Sequence, residues 1–305
     1  MAEQQIFDVI IIGGSYAGLS AAMALGRSLR NTLVIDSGQP CNRQTPHSHN
    51  FLTQDGRPPA AIALTGRQQV EQYPSVQFHD GLAVSGTQKN GGFEITVESE
   101  ATFFGKKLLF ATGIKDEMPD IPGFAACWGI SVVHCPYCHG YEFRNKRTGL
   151  MANGERALHM ASLIRNLTAE LTIFTNGNAD FTNEQLNYLK AQQITIIEQP
   201  VREILHQDGQ LDSLLLQDGN LVQLAALYGA VPFVQHCPIP ESLGCTLTEQ
   251  GHIQVDQFQK TSVSGIFACG DNTSPMRSVA NAVATGNLVG AMINKELTES
   301  HVDTP

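Results

Sequence analysis

The sequence begins with the pattern of a β-strand, a glycine-rich turn and an α-helix. An apolar run over residues 7–12 is followed by Gly13-Gly14-Ser15-Tyr16-Ala17-Gly18 and then by a stretch rich in alanine and leucine. Glycines allow a tight turn here, and the free N–H groups at the start of the helix attract a pyrophosphate. The next apolar run ends at Asp36, where an acid is expected to bind ribose hydroxyls. The pattern predicts a parallel βαβ unit with a dinucleotide site, in which Ser15 replaces the middle glycine.

A second βαβ pattern lies between residues 148 and 177. Its turn, Ala152-Asn153-Gly154, retains a single glycine of the motif. The residues after its second strand, Asn176-Gly177-Asn178, include neither an acid for a ribose 2′-hydroxyl nor arginines for a 2′-phosphate. Two alternatives follow. Either this unit binds a nicotinamide nucleotide, or it keeps the fold after its site has been lost or altered.

The tail of the chain decides the domain organisation. It contains a short apolar strand, Gly270-Asp271 and a closing helix of small and apolar residues, which have no place in the second unit if that unit closes near Phe233. We therefore assign residues 1–115 and 238–305 to a first, discontinuous domain and residues 116–237 to a second. The expected fold is α/β, with two Rossmann-like three-layer dinucleotide-binding domains, the second inserted into the first.

Loops and turns complete this expected organisation. Residues 40–60 are rich in Pro, Asn, His and Gly and predict a long loop, a feature that is usually functional inside a compact domain. A helix is expected near residues 61–72, and a hairpin or meander followed by a buried strand over residues 91–113. Asp208-Gly209 and Asp218-Gly219 predict tight turns between short strands.

Composition and charge exclude several classes of protein. The formal net charge of −10 argues against nucleic acid as a partner, because phosphate binding needs clustered Lys and Arg. The seven cysteines do not form the dense framework of a secreted disulfide scaffold. The first residues lack a basic region, and their apolar run is far shorter than the roughly 18 residues of a membrane span. These features predict a cytoplasmic protein without a membrane partner.

Cys135-Pro136-Tyr137-Cys138 is the one close cysteine pair. A redox dithiol needs one thiol that attacks a disulfide and a second that resolves the mixed disulfide. The adjacent His134 and His139 are candidates for the accompanying proton transfers, and the alternative is that they are solvent-facing or capping histidines. Zinc would need further ligands, and the chain offers no second pair of this kind. We therefore expect a redox dithiol and no metal.

Taken together, five ordered motifs resemble the low-molecular-weight thioredoxin reductase family over nearly the whole chain. They are IIGGSYAGLSAA, the ATG at residues 111–113, IPGF, the central CxxC and GIFACGD. Within that family, PHSHNFLTQDG and HCPYCHGYE are similar to the branch that contains bacterial thioredoxin-reductase-like proteins and the dithiol oxidases of gliotoxin and holomycin biosynthesis. The resemblance implies FAD in the first domain, a pyridine-nucleotide-type domain that carries the CxxC, and a homodimer.

The resemblance also implies site residues. Cys138 would face the flavin, and Cys135 would be the thiol that meets the substrate, with His139 and His134 beside them. The residues expected around FAD are Gly13, Ser15, Ala17, Gly18, Asp36, Ser37, Arg43, His49, Ala83, Ala111, Thr112, Gly113, Gly270, Asp271, Arg277, Ser278 and Val279.

The chain departs from the thioredoxin reductases at His139, where they have Asp, and in its second glycine turn. The expected function is an FAD-dependent disulfide oxidoreductase that passes two electrons between a donor, FAD, the Cys135–Cys138 pair and a thioredoxin-like protein or a small-molecule disulfide. The donor is NAD(P)H, or else ferredoxin or flavodoxin. One alternative reverses the flow, so that the protein oxidises a small dithiol with oxygen as acceptor. Another is a redox sensor without turnover.

Overall fold

The computed structural model describes residues 5–302, which form seventeen strands and eight α-helices. The strands are Ile6–Ile12 (β1), Thr32–Asp36 (β2), Val76–Asp80 (β3), Ala83–Lys89 (β4), Gly92–Val97 (β5), Thr102–Phe110 (β6), Ile114–Asp116 (β7), Val132–Val133 (β8), Thr148–Met151 (β9), Leu171–Phe174 (β10), Thr195–Ile197 (β11), Val201–Gln207 (β12), Gln210–Leu216 (β13), Leu221–Gln223 (β14), Ala226–Gly229 (β15), Phe233–Gln235 (β16) and Ile266–Ala268 (β17). The helices are Tyr16–Arg27 (α1), Pro59–Val70 (α2), Phe124–Cys127 (α3), Pro136–His139 (α4), Gly154–Ile164 (α5), Asn183–Ala191 (α6), Ile239–Ser242 (α7) and Val279–Val302 (α8).

The chain divides into two compact units. Unit 1 consists of residues 1–43, 59–115 and 233–305, and unit 2 of residues 44–58 and 116–232. The expected α/β fold of two Rossmann-like domains, one inserted into the other, is confirmed. The units differ in two respects from the boundaries drawn on the sequence, because residues 44–58 pack within unit 2 and residues 233–237 within unit 1. No helix in the described part of the chain is long and apolar enough to cross a membrane.

Unit 1 is built on a seven-stranded sheet with the order β3-β2-β1-β6-β5-β4, in which β17 also pairs with β6. β1, β2, β3, β6 and β17 pair in parallel, and β4, β5 and β6 form an antiparallel meander. Val9, Ile10 and Ile11 of β1 are fully buried, as a central parallel strand covered on both faces requires. Residues 91–113, predicted as a hairpin or meander followed by a buried strand, form the antiparallel pair β5 and β6, and the second of these strands ends in the buried Leu108, Leu109 and Phe110.

The two long helices of unit 1, α1 and α8, approach each other closely on one face of this sheet. A side chain at Gly286 would overlap the backbone carbonyl of Ala17, and one at Gly290 would lie 2.8 Å from the carbonyl oxygen of Ala21. The small residues in both helices therefore permit the close approach. The hydroxyl of Ser20 in α1 donates a hydrogen bond to the carbonyl of Val283 in α8 at 2.7 Å.

Unit 2 contains a five-stranded parallel sheet with the order β11-β10-β9-β15-β8 and an antiparallel sheet of β12, β13 and β14. The predicted turn at Asp208-Gly209 joins β12 to β13, and that at Asp218-Gly219 joins β13 to β14. Asp208 has φ +51° and Gly209 has φ +78°, which fits a hairpin turn with both central residues at positive φ. Both predicted turns and the short strands that they connect are therefore present.

Candidate active site

The two cysteines of the CxxC pair lie at the start of α4. Cys135 is the N-cap residue and Pro136 occupies the first turn, where its missing N–H costs the helix nothing. The sulfur atoms of Cys135 and Cys138 lie 2.7 Å apart, and both residues are half-buried. This spacing suits a pair that alternates between dithiol and disulfide, because little side-chain movement is needed to close the S–S bond. No cluster of three or more His, Cys, Asp or Glu residues suited to a metal is found within residues 5–302.

His139 ends α4, and its imidazole is uncharged at neutral pH. Burial, with a smaller contribution from the nearby charge of His49, lowers the pKa of His139 to about 4. The backbone N–H of His139 donates to the carbonyl of Cys135 at 3.2 Å, which fixes it one turn from that cysteine. A neutral imidazole next to Cys138 can accept a proton. The other predicted histidine, His134, lies with its ring centroid 6.0 Å from that of Trp128.

A buried tyrosine on β15 lies behind the dithiol, and sequence reasoning missed it. A side chain at Gly140 would lie 2.9 Å from the hydroxyl oxygen of Tyr228 and would overlap Leu167, so the turn after α4 rests directly on these side chains. Burial, together with the charges of Cys135 and Glu142, raises the pKa of Tyr228. Its hydroxyl therefore stays protonated. The only signal in the sequence is a phenol at the end of an apolar strand.

His49, which the sequence analysis grouped with the residues around FAD, belongs to unit 2. Its Nε2 lies 3.7 Å from a carboxylate oxygen of Glu142, in the 3₁₀ helix that follows α4. Its Nδ1 lies 3.7 Å from Asp55 of its own loop. The structure thus places His49, Glu142 and His139 in one unit with the two cysteines.

The glycine-rich loop of unit 1 has the form that its sequence predicts. Gly13 has φ +105°, and a side chain there would overlap the carbonyl of Ala111. A side chain at Gly18 would overlap the carbonyl of Gly13. Ser15 is the N-cap residue of α1, but its side chain makes no capping hydrogen bond. The loop is therefore compact, and its serine does not satisfy the N–H groups of the first helical turn.

Asp36 lies beside this loop at the end of β2. Its Oδ1 accepts a hydrogen bond from the backbone N–H of Gly14 at 3.0 Å. Ala83 is buried at the start of β4, and Ser37 is exposed directly after β2. Arg43 donates from Nη1 to the carbonyl of Pro40, in its own turn, at 3.3 Å. Asp36 is thus hydrogen-bonded to the glycine-rich loop. Arg43, in contrast, is hydrogen-bonded to its own turn, at Pro40.

Asn272, a second residue that the sequence analysis missed, joins two of the predicted segments. It is fully buried, and its Nδ2 donates to the carbonyl of Phe110 at 2.9 Å and to the hydroxyl of Thr112 at 3.3 Å. The N–H of Cys269 also donates to Phe110. Asn272 thereby fixes the Ala111-Thr112-Gly113 segment to the Gly270-Asp271 turn. The signal available in the sequence was its place directly after that turn.

The remaining predicted residues lie at the start of α8. Arg277 Nε lies 3.9 Å from a carboxylate oxygen of Asp271. The hydroxyl of Ser278 accepts from the N–H of Asn281 at 3.1 Å, and α8 begins at Val279. A side chain at Gly270 would lie 3.1 Å from the Cβ of Ala17, so the turn before α8 meets the first turn of α1. The structure therefore brings Gly13, Ala17, Gly18, Thr112, Gly270 and Asp271 into one region of unit 1.

Two Rossmann-like units, one of them carrying a half-buried CxxC pair, define a disulfide oxidoreductase with two dinucleotide-binding-type domains. A family model described as pyridine nucleotide-disulphide oxidoreductase matches residues 7–286. The chain therefore belongs to the pyridine nucleotide-disulphide oxidoreductase family. It is an oxidoreductase, and its function is that of a thioredoxin-reductase-like, FAD-dependent disulfide oxidoreductase.

Relatives match the chain along nearly its whole length. Thioredoxin reductase tcpT of Claviceps purpurea is 34% identical over 308 residues, covering 97% of this chain and 96% of that protein. Thioredoxin reductase sirT of Leptosphaeria maculans is 32% identical, covering 95% and 94%. Among solved structures, an oxidoreductase from Agrobacterium tumefaciens superposes with a TM-score of 0.91 at 37% identity, covering 97% of this chain and 99% of that chain.

Members of this family use FAD and NADPH, and the loop of unit 1 fits FAD. The close contacts around Gly13 and Gly18 leave no room for side chains, and the first turn of α1 is uncapped. Asn272 Oδ1 and Asn281 Nδ2 are buried polar atoms without a hydrogen-bond partner among the described residues. Such atoms are expected where a polar ligand completes the hydrogen bonding.

The corresponding turn of unit 2 does not fit a pyridine nucleotide. Asn153 Oδ1 accepts from the N–H groups of Gly154 and Asp180, both at 2.9 Å, and its Nδ2 donates to the carbonyl of Asn178 at 2.9 Å. A side chain at Gly154 would lie 3.4 Å from a carboxylate oxygen of Asp180. Glu155 adds a second acid in the first turn of α5. Asn153 thus caps the first N–H of α5, and the carboxylates of Asp180 and Glu155 disfavour a pyrophosphate there.

Proposed function

We propose that the protein is a dithiol oxidase, in which a small-molecule dithiol is converted to a disulfide and oxygen to hydrogen peroxide. The observation that carries this direction is the closed turn before α5. Without a pyridine nucleotide to supply electrons, the substrate thiols are the electron source. Neutral His139 can accept the proton that a thiol gives up when it is oxidised, although the same group serves the reverse reaction.

The cysteines perform the exchange in two steps. A thiolate of the substrate attacks the Cys135 sulfur of the enzyme disulfide, and Cys138 leaves as the thiolate. The second substrate thiol then attacks the mixed disulfide, which releases the oxidised substrate and Cys135. FAD, held by the residues of unit 1, would supply the two-electron oxidation that returns the Cys135–Cys138 dithiol to the disulfide, with oxygen as the final acceptor. The sum is one dithiol and one O₂ converted to one disulfide and one H₂O₂.

The exposed aromatic residues around the pair support a small, flat substrate. The side chains of Tyr137 and Tyr141, before and after Cys138, are 69% and 65% exposed. The guanidinium of Arg144 lies 4.0 Å from the ring centroid of Tyr141, which fixes that ring in place. Exposed rings of this kind provide contact area at low entropic cost.

We infer cofactor roles for the residues gathered in unit 1. Gly13, Ser15, Ala17 and Gly18 bind the pyrophosphate of FAD through their backbone, and Asp36 binds the adenosine ribose. Three further segments would contact the remainder of the FAD molecule. They are Ala111, Thr112 and Gly113; Gly270 and Asp271; and Arg277, Ser278 and Val279. Ser37, Arg43 and Ala83 lie towards the adenosine end. A homodimer in the cytoplasm, with no nucleic acid or membrane partner, is part of the same proposal, and sedimentation of the FAD-loaded protein tests the dimer.

Anaerobic mixing of the FAD-loaded protein with NADPH, NADH, reduced ferredoxin or dithiothreitol tests the electron source. We expect dithiothreitol alone to bleach the flavin absorbance, and oxygen to restore it with one H₂O₂ formed per dithiol. Cys135→Ser and Cys138→Ser should abolish this reaction, whereas Cys41→Ser, at an exposed cysteine of unit 1, should not. Rapid bleaching by NADPH, followed by reduction of a thioredoxin, would overturn the proposal. Bleaching by reduced ferredoxin alone would make the protein a ferredoxin-driven reductase instead.

A further inference from the structure

The loop over residues 44–58 is a closed frame that belongs to unit 2. At its base, the N–H of Ser48 donates to the carbonyl of Arg57 at 2.8 Å, and the two residues form an antiparallel bridge. Near its tip, the N–H of Asn50 donates to Asp55 Oδ1 at 2.7 Å. A loop whose ends meet and whose tip is braced by its own side chain keeps one shape.

This loop contacts the chain on both sides of the dithiol helix α4. After the helix, Nε2 of His49 lies 3.7 Å from a carboxylate oxygen of Glu142, which is four residues beyond the second cysteine. Before the helix, a side chain at Gly129 would lie 2.8 Å from the hydroxyl oxygen of Thr45, so the start of the loop packs directly on that glycine. Gly129 is six residues ahead of the first cysteine. The two contacts place the loop alongside the CxxC pair.

The tip of the loop carries a highly exposed leucine. Leu52 is 87% exposed, and it is followed by Tyr137 and Tyr141, which belong to the dithiol helix and the turn after it. These are the three most exposed large apolar side chains among the described residues of unit 2. A single exposed leucine is ordinary, but here all three lie on two segments that contact each other and include the reactive pair. An apolar molecule at the pair is thus offered contact area from both segments.

The backbone on both sides of Leu52 is in a rare conformation. Asn50 has φ +59° and Thr53 has φ +73°, and a residue branched at Cβ seldom adopts this left-handed region. Such a conformation persists only where the surrounding contacts enforce it, and it is concentrated at functional sites. The closed frame therefore holds Leu52 at the tip of the loop, in solvent.

Carboxylates border the same region. Those of Asp55 and Glu142 are 69% and 39% exposed. One cation, the guanidinium of Arg144, lies on the ring of Tyr141 and offsets only part of this charge. A negatively charged molecule is disfavoured beside two such carboxylates, whereas an uncharged one is not. Apolar side chains with acidic neighbours favour an uncharged apolar molecule.

We propose that the loop over residues 44–58 forms one side of the substrate site, and that Leu52 is a specificity-determining residue that contacts the apolar body of an uncharged small disulfide or dithiol. The contact between His49 and Glu142 holds this side of the site beside the pair. The inference rests on the proposed exchange between the pair and a small molecule. It does not depend on the electron source or on oxygen, because the same contacts serve both directions of the exchange.

The exchange can be followed in one direction without turnover. The thiolate of Cys135 attacks one sulfur of a disulfide probe, the S–S bond of the probe breaks, and half of the probe leaves as a thiolate. Cys138 then attacks the mixed disulfide and releases the other half. The two protons of the cysteines end on the two released halves, so the pair is oxidised and the probe is reduced by two electrons.

Single-turnover exchange with two probes tests the role of Leu52. FAD-loaded protein in the Cys41→Ser background, which lacks an exposed cysteine, is reduced and freed of reductant without oxygen. It is mixed with 4,4′-dithiodipyridine, which is neutral, flat and apolar, or with glutathione disulfide, which is acidic and polar. We expect Leu52→Ser to lower the second-order rate constant about fivefold for dithiodipyridine, because an apolar contact is lost, and to leave that for glutathione disulfide unchanged.

Two further variants serve as controls for Leu52→Ser. Leu52→Phe keeps an apolar side chain and should retain the rate with dithiodipyridine. Leu221→Ser changes a leucine that is 60% exposed on β14 of the same unit, and should alter neither rate. An unchanged rate with dithiodipyridine in Leu52→Ser, or equal slowing with both probes, would overturn the inference. So would a thioredoxin disulfide that reacts faster than dithiodipyridine in the wild type and loses most in Leu52→Ser, because the partner would then be a protein.

Glu142→Ala tests whether the contact with His49 holds the loop in place. We expect it to slow the reaction with dithiodipyridine, and to add little to the effect of Leu52→Ser, because both changes remove the same side of the site. Glu170→Ala is the matched control, since Glu170 pairs with Arg147 at the surface. An unchanged rate in Glu142→Ala, or fully additive effects in the double variant, would contradict the inference. Failure of the oxidase reaction, by contrast, would leave all these rate constants untouched.

Discussion

At the scale of single residues, His139 links the chemistry of the dithiol to the stability of unit 2. Its pKa is about 4 in the folded protein, against an ordinary value of 6.5. Above pH 6.5 the imidazole is neutral in both the folded and the unfolded chain. As the pH falls from 6.5 towards 4, the unfolded chain binds a proton that the folded chain does not, so the free energy of unfolding decreases.

We therefore expect the free energy of unfolding to lose about 2 to 3 kcal/mol through His139 between pH 7.5 and pH 4.5. Urea unfolding at the two pH values measures this, and His139→Gln should remove that part of the pH dependence. His159→Gln, at an exposed position on α5, serves as the control. Equal pH dependence in the wild type and in His139→Gln would show that the imidazole is not held neutral.

Other site residues differ in how far the sequence could identify them. The compact turn at Gly13 and Gly18 and the proximity of the two cysteines could be predicted, because each depends on local spacing. Tyr228 and Asn272 were not, because their contacts join segments far apart in the chain, to Gly140 and to Thr112 respectively. For His49 the sequence suggested a functional loop but not the unit to which it belongs.

At the scale of elements, the contact between α1 and α8 supports the FAD loop. α1 begins directly after that loop, so a displacement of α8 moves the N–H groups that we propose bind the pyrophosphate. Gly286→Ala would drive a methyl group into the carbonyl of Ala17. We expect it to cost about 2 kcal/mol of stability and to weaken FAD binding about tenfold or more, as overpacking at a tight contact does.

FAD affinity, measured by release of flavin fluorescence, tests this effect of Gly286→Ala. Asn287→Ala is the matched control, since Asn287 is exposed on the next position of the same helix and alanine favours the helix. Unchanged FAD affinity in Gly286→Ala would show that α1 does not depend on α8 for its position.

The elements themselves were largely predictable. Strands such as β1 and β6 have unbroken apolar runs, and the Asp-Gly turns have a local cause in positive φ. The closed state of the second glycine turn was not predictable in the same way. It results from hydrogen bonds between the side chain of Asn153 and the backbone of Asn178 and Asp180. A sequence pattern does not show contacts between residues this far apart.

At the scale of the whole molecule, the two nucleotide-type units should respond differently to nucleotides. A ligand at about one hundred times its Kd adds about 2.7 kcal/mol of stability, which corresponds to a rise in Tm of roughly 5–10 °C. We expect FAD to produce such a rise in protein stripped of flavin, and NADPH at the same concentration to produce none. A comparable rise with NADPH, measured by calorimetry, would mean that the turn before α5 opens for a nucleotide.

The inserted arrangement followed from the sequence, because the tail had no place in the second unit and its strand β17 pairs with β6. The position of residues 44–58 did not follow. Their sequence neighbours on both sides belong to unit 1, and only packing, such as the approach of Thr45 to Gly129, assigns them to unit 2. The unit to which a loop belongs cannot be inferred from its neighbours in the sequence when the chain leaves one unit and then returns to it.

The hydrogen bond between Ser20 and Val283 has a consequence for biosynthesis. Its partners are 263 positions apart, and the core of unit 1 is completed only when α8 covers α1. During translation α8 must therefore emerge from the ribosome before this core can close. The strands of unit 2 all lie within residues 116–232 and emerge earlier. The inserted unit is thus expected to fold first, while the apolar face of α1 stays exposed until α8 has been synthesised.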